Sequence, residues 1–142
     1  MPVKKQTSAK LRKKALVLAQ KLARLEGADD NGYSSCVTCQ KFDHYKNMDG
    51  GHFISKGSSS RWSLDTRNIW PQCKGCNGFG MKDGTAQISY TIYMQEKFGV
   101  DFVEEMLASK KDVYKISTPD YRDLISDLQS KINVELARIG ET

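Results

Sequence analysis

The chain has 142 residues, of which 39% are hydrophobic and 27% charged, and a formal net charge of +5. That length fits one domain with a modest core. No apolar run approaches the ~20 residues that cross a bilayer, and the basic start "MPVKKQTSAKLRKK" lacks the apolar stretch of a secretory signal, so the expectation is a cytoplasmic protein with no membrane partner. The positive charge favours a polyanionic partner without naming one.

Residues 8–26, "SAKLRKKALVLAQKLARLE", place Leu11, Ala15, Leu18, Leu22 and Leu25 at alternating spacings of four and three, the apolar stripe of a helix. Lys10, Arg12, Lys13, Lys14, Lys21 and Arg24 fill much of the remainder, and Gly27 is a C-terminal stop. Residues 1–32 therefore read as a basic N-terminal helical unit.

Residues 36–77 are rich in Gly, Ser, Cys and Asn, with short apolar pieces such as "HFI" and "NIWPQC". These suit short strands and loops held by a metal rather than by a large apolar core.

Helices resume after "GFGMKDG" and fill residues 85–142, a region for packing or dimerisation. Thr85 is expected to cap a helix carrying Ile88, Ile92 and Gln95 and ending near Phe98-Gly99. Asp101 and Glu104 have the spacing of a capping box. Thr118 is the expected cap of the last helix, with Pro119 at its first position and Gly140 past its end. Leu124, Ile125, Leu128, Ile132, Leu136 and Ile139 form that helix's stripe, which can pack on the first helix or on a second copy. The predicted fold class is α+β, mainly helical, around a small metal-stapled core.

Four cysteines stand as two CxxC pairs, Cys36/Cys39 and Cys73/Cys76. Each CxxC turn presents two thiolates to one side, and two turns close a tetrahedron around Zn²⁺. Four thiolates leave no open coordination position, so this zinc holds the fold and does no chemistry.

His52, in "MDGGHFISKG", lies inside the loop that such a zinc would tie. It can be a structural side chain, a metal ligand or the base that activates water. Asn77 directly follows the last cysteine, where a helix can begin and aim its carboxamide at the hairpin; an amide oxygen suits a hard cation such as Mg²⁺. Asn68, in "TRNIW", can hold the histidine tautomer by hydrogen bonding to the loop. His44 reads as a residue of a solvated turn.

The segments "CVTC … GGHFISKG … LDTRNIWPQCKGCN" resemble the HNH, or ββα-metal, nucleases, and within them the NinG/Rap recombination proteins of lambdoid phages, which resolve or cut branched DNA. The likeness covers most of residues 8–108. It implies a zinc-stapled ββα-metal core over 33–84 and a metal-dependent DNA endonuclease working in the host cytoplasm. By that likeness His52 is the general base, Asn68 the central asparagine of the triad, and Asn77 a ligand of a catalytic Mg²⁺ or Mn²⁺. The cysteines match the structural zinc of the phage endonuclease VII type. Many of the wider superfamily carry aspartate directly before the histidine, where this chain has Gly51. Strand alternation places Asp49 on the same face as Gly51, which makes it the candidate first cation ligand.

DNA-phosphate contacts are expected from Lys10, Arg12, Lys13 and Lys14 on the first helix and from Lys56, Arg61, Arg67, Lys74 and Lys82 around the centre. Trp62 and Trp70 can stack on bases, though the core is the favoured place for Trp70. A junction-cutting enzyme nicks two strands symmetrically, so a homodimer is expected. Two other readings fit the same residues: a non-catalytic zinc-ribbon DNA-binding or adaptor module, and an HNH nicking enzyme without junction preference.

Overall fold

The structure is a computed structural model that describes residues 7–141. Lys4 and Lys5 of the basic run lie outside them. In chain order the elements are α1 (Ser8–Glu26), β1 (Tyr33–Ser35), β2 (Phe42–His44), β3 (Met48–His52), β4 (Ile69–Cys73), α2 (Met81–Asp83), α3 (Thr85–Phe98), α4 (Val100–Ser109) and α5 (Thr118–Arg138). A π-helical turn, Cys76–Gly80, leads into α2. The architecture is α+β and mostly helical, with two antiparallel two-stranded sheets, β1–β2 and β3–β4. No helix among the described residues is long and apolar enough to cross a membrane.

The expected stripe of α1 is buried at Leu11, Ala15, Leu22 and Leu25, and Ala19 and Ala23 widen it. The three alanines present little bulk, so α1 comes close to its neighbours. Its main partner is α5, which lies parallel to it. Ser8 Oγ is 3.4 Å from Thr118 Oγ1 at one end. At the other, Arg138 Nη2 donates to the carbonyls of Leu25 (3.0 Å) and Ala28 (2.9 Å). That guanidinium sits at the C-terminal end of α1, where the helix dipole is negative. The α5 stripe buries Ile125, Leu128 and Ile132 against α1, with Leu124, Leu136 and Ile139 packed beside them. This face is spent inside the chain and is not free for a second copy.

A hairpin lies beneath α1. In it Met48 pairs with Cys73, Asp49 with Gln72, Gly50 with Pro71, Gly51 with Trp70 and His52 with Ile69. A Cβ at Gly50 would run into the backbone of Gln20, so α1 rests directly on the strand. Gly27 ends α1 as expected, but with an ordinary right-handed φ of −78°. Its need for glycine is steric: a Cβ there would overlap Pro71 Cγ.

Several C-terminal details differ from the sequence reading. Ile88 (69% exposed) and Ile92 (50%) face solvent, and α3 instead buries Ala86, Tyr90 and Met94. The aromatic surface of Phe53 and the Tyr90 hydroxyl, which donates to the Gly51 carbonyl at 2.6 Å, decide the helix rotation. Gly84, with φ +87°, precedes α3 in place of a Thr85 cap, and Asp83 Oδ1 accepts from the Thr85 N–H. Gly99, with φ +89°, leads into α4, so Asp101 lies inside the first turn and is not its cap. Ser117, one residue before the expected Thr118, caps α5 by accepting from Asp120 N. Gly140 (φ +78°) closes α5 as predicted: its N–H reaches the Ala137 carbonyl, and Glu141 N–H reaches Leu136, the paired bonds of a Schellman end.

Candidate functional site

The two CxxC turns meet. The Sγ atoms of Cys36, Cys39, Cys73 and Cys76 all lie within 4.8 Å of one another. Cys39 and Cys73 are 3.7 Å apart, close to the ~3.8 Å edge of a tetrahedron with ~2.3 Å zinc–sulfur bonds. Four thiols at that separation fit a structural Zn²⁺. Burial raises the Cys36 thiol, but donation from the Thr38 hydroxyl and from the Cys73, Thr38 and Cys39 amides outweighs it, bringing Cys36 to about 6. Burial and hydrogen bonding to neighbouring thiols push Cys76 up to about 12.

The hairpin carries the cluster at one end and His52 at the other. His52 is 8% exposed, and its Nε2 lies 2.8 Å from the Ser63 carbonyl oxygen. A carbonyl only accepts, so Nε2 holds the proton and the lone pair of neutral His52 is on Nδ1. Burial depresses the His52 pKa below the ordinary 6.5; the Ser63 bond opposes it in part, and the Lys56 charge adds a smaller push downward. His52 therefore stands as a free base at neutral pH.

Asn68 is fully buried and does not bond His52. Its Oδ1 accepts from Ile54 N (2.8 Å), and its Nδ2 donates to the carbonyls of Ile54 (2.9 Å) and Trp62 (3.2 Å). It closes the 53–68 loop next to Ser63 and so holds the histidine's acceptor at one remove. Arg12, expected to face DNA, is half-buried and donates to Ser63 Oγ at 2.8 Å.

His52 opens onto a cleft of about 610 Å³ that Asn77, Lys56, Lys82 and Phe79 also border. Gln20, Gly50 and Asn77 join it to a second cleft of about 400 Å³, lined by Asp49, Lys74, Arg24 and Val17. Asp49 Oδ2 accepts from Asn77 Nδ2 (2.9 Å), and Oδ1 from Lys74 Nζ (2.7 Å). Burial would raise the Asp49 carboxyl, but these two partners hold it below the usual carboxylate range. A carboxylate and a carboxamide offer the oxygen chemistry Mg²⁺ and Mn²⁺ prefer, but here Asn77 turns its Nδ2 to Asp49 and both Asp49 oxygens are engaged.

The family model describing the bacteriophage lambda NinG protein matches residues 3–138. The chain belongs to the NinG family. No curated protein and no solved structure matches it.

Of the basic residues expected around the centre of this NinG-family chain, Lys56 and Lys82 line the His52 cleft and Lys74 the adjoining one. Lys10, Lys13 and Lys14 border a shallow groove on α1 that reaches Val17. Arg61 and Arg67 border neither His52 cleft. Both pair with Asp65, at 3.4 and 2.7 Å, and both guanidinium groups lie over the Trp62 ring, 4.2 and 5.2 Å from its centroid. Trp62 is 3% exposed, with its Nε1 on Ser109 Oγ, so it is core and not a stacking platform. Trp70 packs against Tyr93 and Phe98. His44 is half-buried and accepts from Lys46 N at the head of a short turn.

Sequence reasoning on this NinG-family chain missed four contributors. Ser63 acts through its carbonyl, which has no residue signature. Gln20 and Arg24 join the clefts from the polar side of α1, visible as a helical face but not as a site. Phe79 sits in "GFG", a stretch that reads as a break between elements.

Proposed function

We infer that this NinG-family protein is a metal-dependent DNA endonuclease of the HNH type, acting on branched DNA. The observation that carries the reading is His52: a buried, neutral imidazole with its tautomer fixed by a backbone carbonyl, bordering a cleft shared with Asn77 and two free lysines. A merely structural histidine has no need of that cleft.

In the reaction, His52 Nδ1 takes a proton from water, whose oxygen attacks phosphorus while the bond to the leaving oxygen breaks. Ser63 and Asn68 keep the imidazole oriented. Lys56 and Lys82 hold the phosphate backbone near the cut. Asp49 and Asn77 would hold Mg²⁺ or Mn²⁺, which when bound supplies positive charge for the phosphoryl and leaving oxygens. The zinc anchors the hairpin and the turn carrying Asn77.

The groove of Lys10, Lys13 and Lys14, the Val17 step and the two clefts share lining residues in succession. This gives a DNA strand a continuous basic path from α1 to His52. Preference for branches and a two-fold dimer remain part of the proposal, the dimer using surfaces other than the α5 stripe. A non-catalytic DNA-binding module is the second reading, favoured by the engagement of both Asp49 oxygens with Lys74 and Asn77.

The test is cleavage of a labelled four-way junction and of linear duplex, with Mg²⁺, Mn²⁺ or neither, by wild type and zinc-replete His52→Gln. Cation-dependent cutting lost in the variant supports the nuclease. Binding without cutting under every cation leaves the DNA-binding module.

A further inference from the structure

Phe79 is 75% exposed, whereas Phe53 and Trp62 are each 3% exposed. Phe42, also exposed, at least stacks on Tyr33 with ring centroids 5.6 Å apart. Phe79 instead lines the His52 cleft, together with Lys56 and Lys82.

Its backbone holds it there. The π-helical turn Cys76–Gly80 starts at a zinc-site cysteine and ends at Gly80, where a Cβ would come 3.1 Å from Ala86 Cβ. Gly80 thus seats the turn against α3. Beside Phe79, a Cβ on Gly78 would meet nothing within 4 Å. The ring is carried on a turn anchored at both ends, with open space next to it. π-helical segments place a side chain where a regular helix would not, and they cluster at functional sites.

We propose that Phe79 stacks on an unpaired DNA base next to the scissile phosphate, and so makes the enzyme select DNA whose base stack is already open. The proposal rests on the nuclease reading of the His52 cleft. An aromatic ring can take up any base whose face is free. In an intact duplex both faces are covered by neighbouring bases, and exposing one costs unstacking energy. At a branch, bulge or frayed end that cost is already met. Lys56 and Lys82 then hold the flanking phosphates while Phe79 covers the base.

Zinc-loaded protein without added Mg²⁺ or Mn²⁺ is titrated against two duplexes of one sequence carrying 2-aminopurine, one with the probe as an unpaired bulge and one fully paired. Wild type should quench the bulged probe. Phe79→Ala should lose the quench and lower the bulge-to-paired affinity ratio about tenfold, and Phe79→Trp should retain both. The cleavage ratio of four-way junction to linear duplex should fall in parallel. Quenching by Phe79→Ala equal to wild type, or no quenching by wild type, overturns the proposal. Absence of cleavage by wild type under any cation is a failure of the nuclease reading, and the quench, which needs no turnover, still decides the role of Phe79.

Discussion

The Nε2 of His52 lies 2.8 Å from the carbonyl oxygen of Ser63, eleven residues further along the chain. That bond separates two roles a histidine can have. His52→Gln keeps an N–H donor for Ser63 but has no basic lone pair. Cleavage should drop by ~10²–10⁴-fold, the usual worth of a general base, with zinc content and thermal midpoint close to wild type. If His52 is the general base proposed above, it works only when unprotonated, and burial holds its pKa below 6.5. Activity as kcat/KM should therefore rise with pH through a midpoint below 6.5 and be flat by pH 7. A midpoint at or above 7 would assign the titration to another group.

Asn68 gives a contrasting prediction. Its three hydrogen bonds all go to the backbone of Ile54 and Trp62. Asn68→Ala leaves buried N–H and C=O groups unpaired, a loss on the order of 3 kcal/mol. Denaturant unfolding should show it. Any fall in cleavage should come with weaker protection from hydrogen exchange in the 53–68 loop, which His52→Gln should not produce.

The four cysteines, α1 and the α5 stripe are legible in the sequence because each has a short-range signature: CxxC spacing, or an apolar period of three and four. The rotation of α3 is not, since Ile88 and Tyr90 are both apolar enough to face inward. The choice falls to Phe53 and to the Gly51 carbonyl, partners distant in sequence. Arg61 and Arg67 look like free cations until Asp65 and Trp62 are brought against them. His52 stands out in the sequence as a candidate, but its tautomer depends on the Ser63 carbonyl, which no side chain announces.

Zinc uptake should be pH-dependent in a defined direction. Cys36 ionises near 6, whereas Cys76 is raised to about 12. Ligands such as Cys76 must give up protons as the metal binds, so apparent zinc affinity should climb as pH rises above 7. Competition with a chromogenic chelator between pH 6.5 and 8.5 measures it. Cys39→Ser should lose stoichiometric zinc and destabilise the chain on the order of 4 kcal/mol.

Gly51 is held to glycine by Gln72. A Cβ at position 51 would overlap Gln72 Oε1, itself buried without a hydrogen-bond partner. An aspartate at position 51, directly before His52, has no room. Gly51→Ala should cost about 1–3 kcal/mol. In a Gln72→Ala background the same substitution should cost less than about 1 kcal/mol. The coupling in that double-mutant cycle then isolates the clash. Additive effects would mean that the strand itself, not Gln72, demands glycine.

Lys74 and Asn77 share Asp49, one on each carboxylate oxygen. If Asp49 holds the catalytic cation, the Lys74 ammonium 2.7 Å from Oδ1 competes with it. The Lys74 side chain is 69% exposed, so the pair is a weak one, about 1 kcal/mol or less. Lys74→Ala should therefore lower the half-saturating Mg²⁺ concentration by no more than about fivefold, and Asp49→Asn should raise it. The sequence instead suggests that Lys74 grips a phosphate. In that case Lys74→Ala should leave the Mg²⁺ requirement unchanged and reduce the slope of log affinity against log salt by about 0.9. Measuring both quantities on one variant separates a lysine that guards the metal carboxylate from one that reads the DNA backbone.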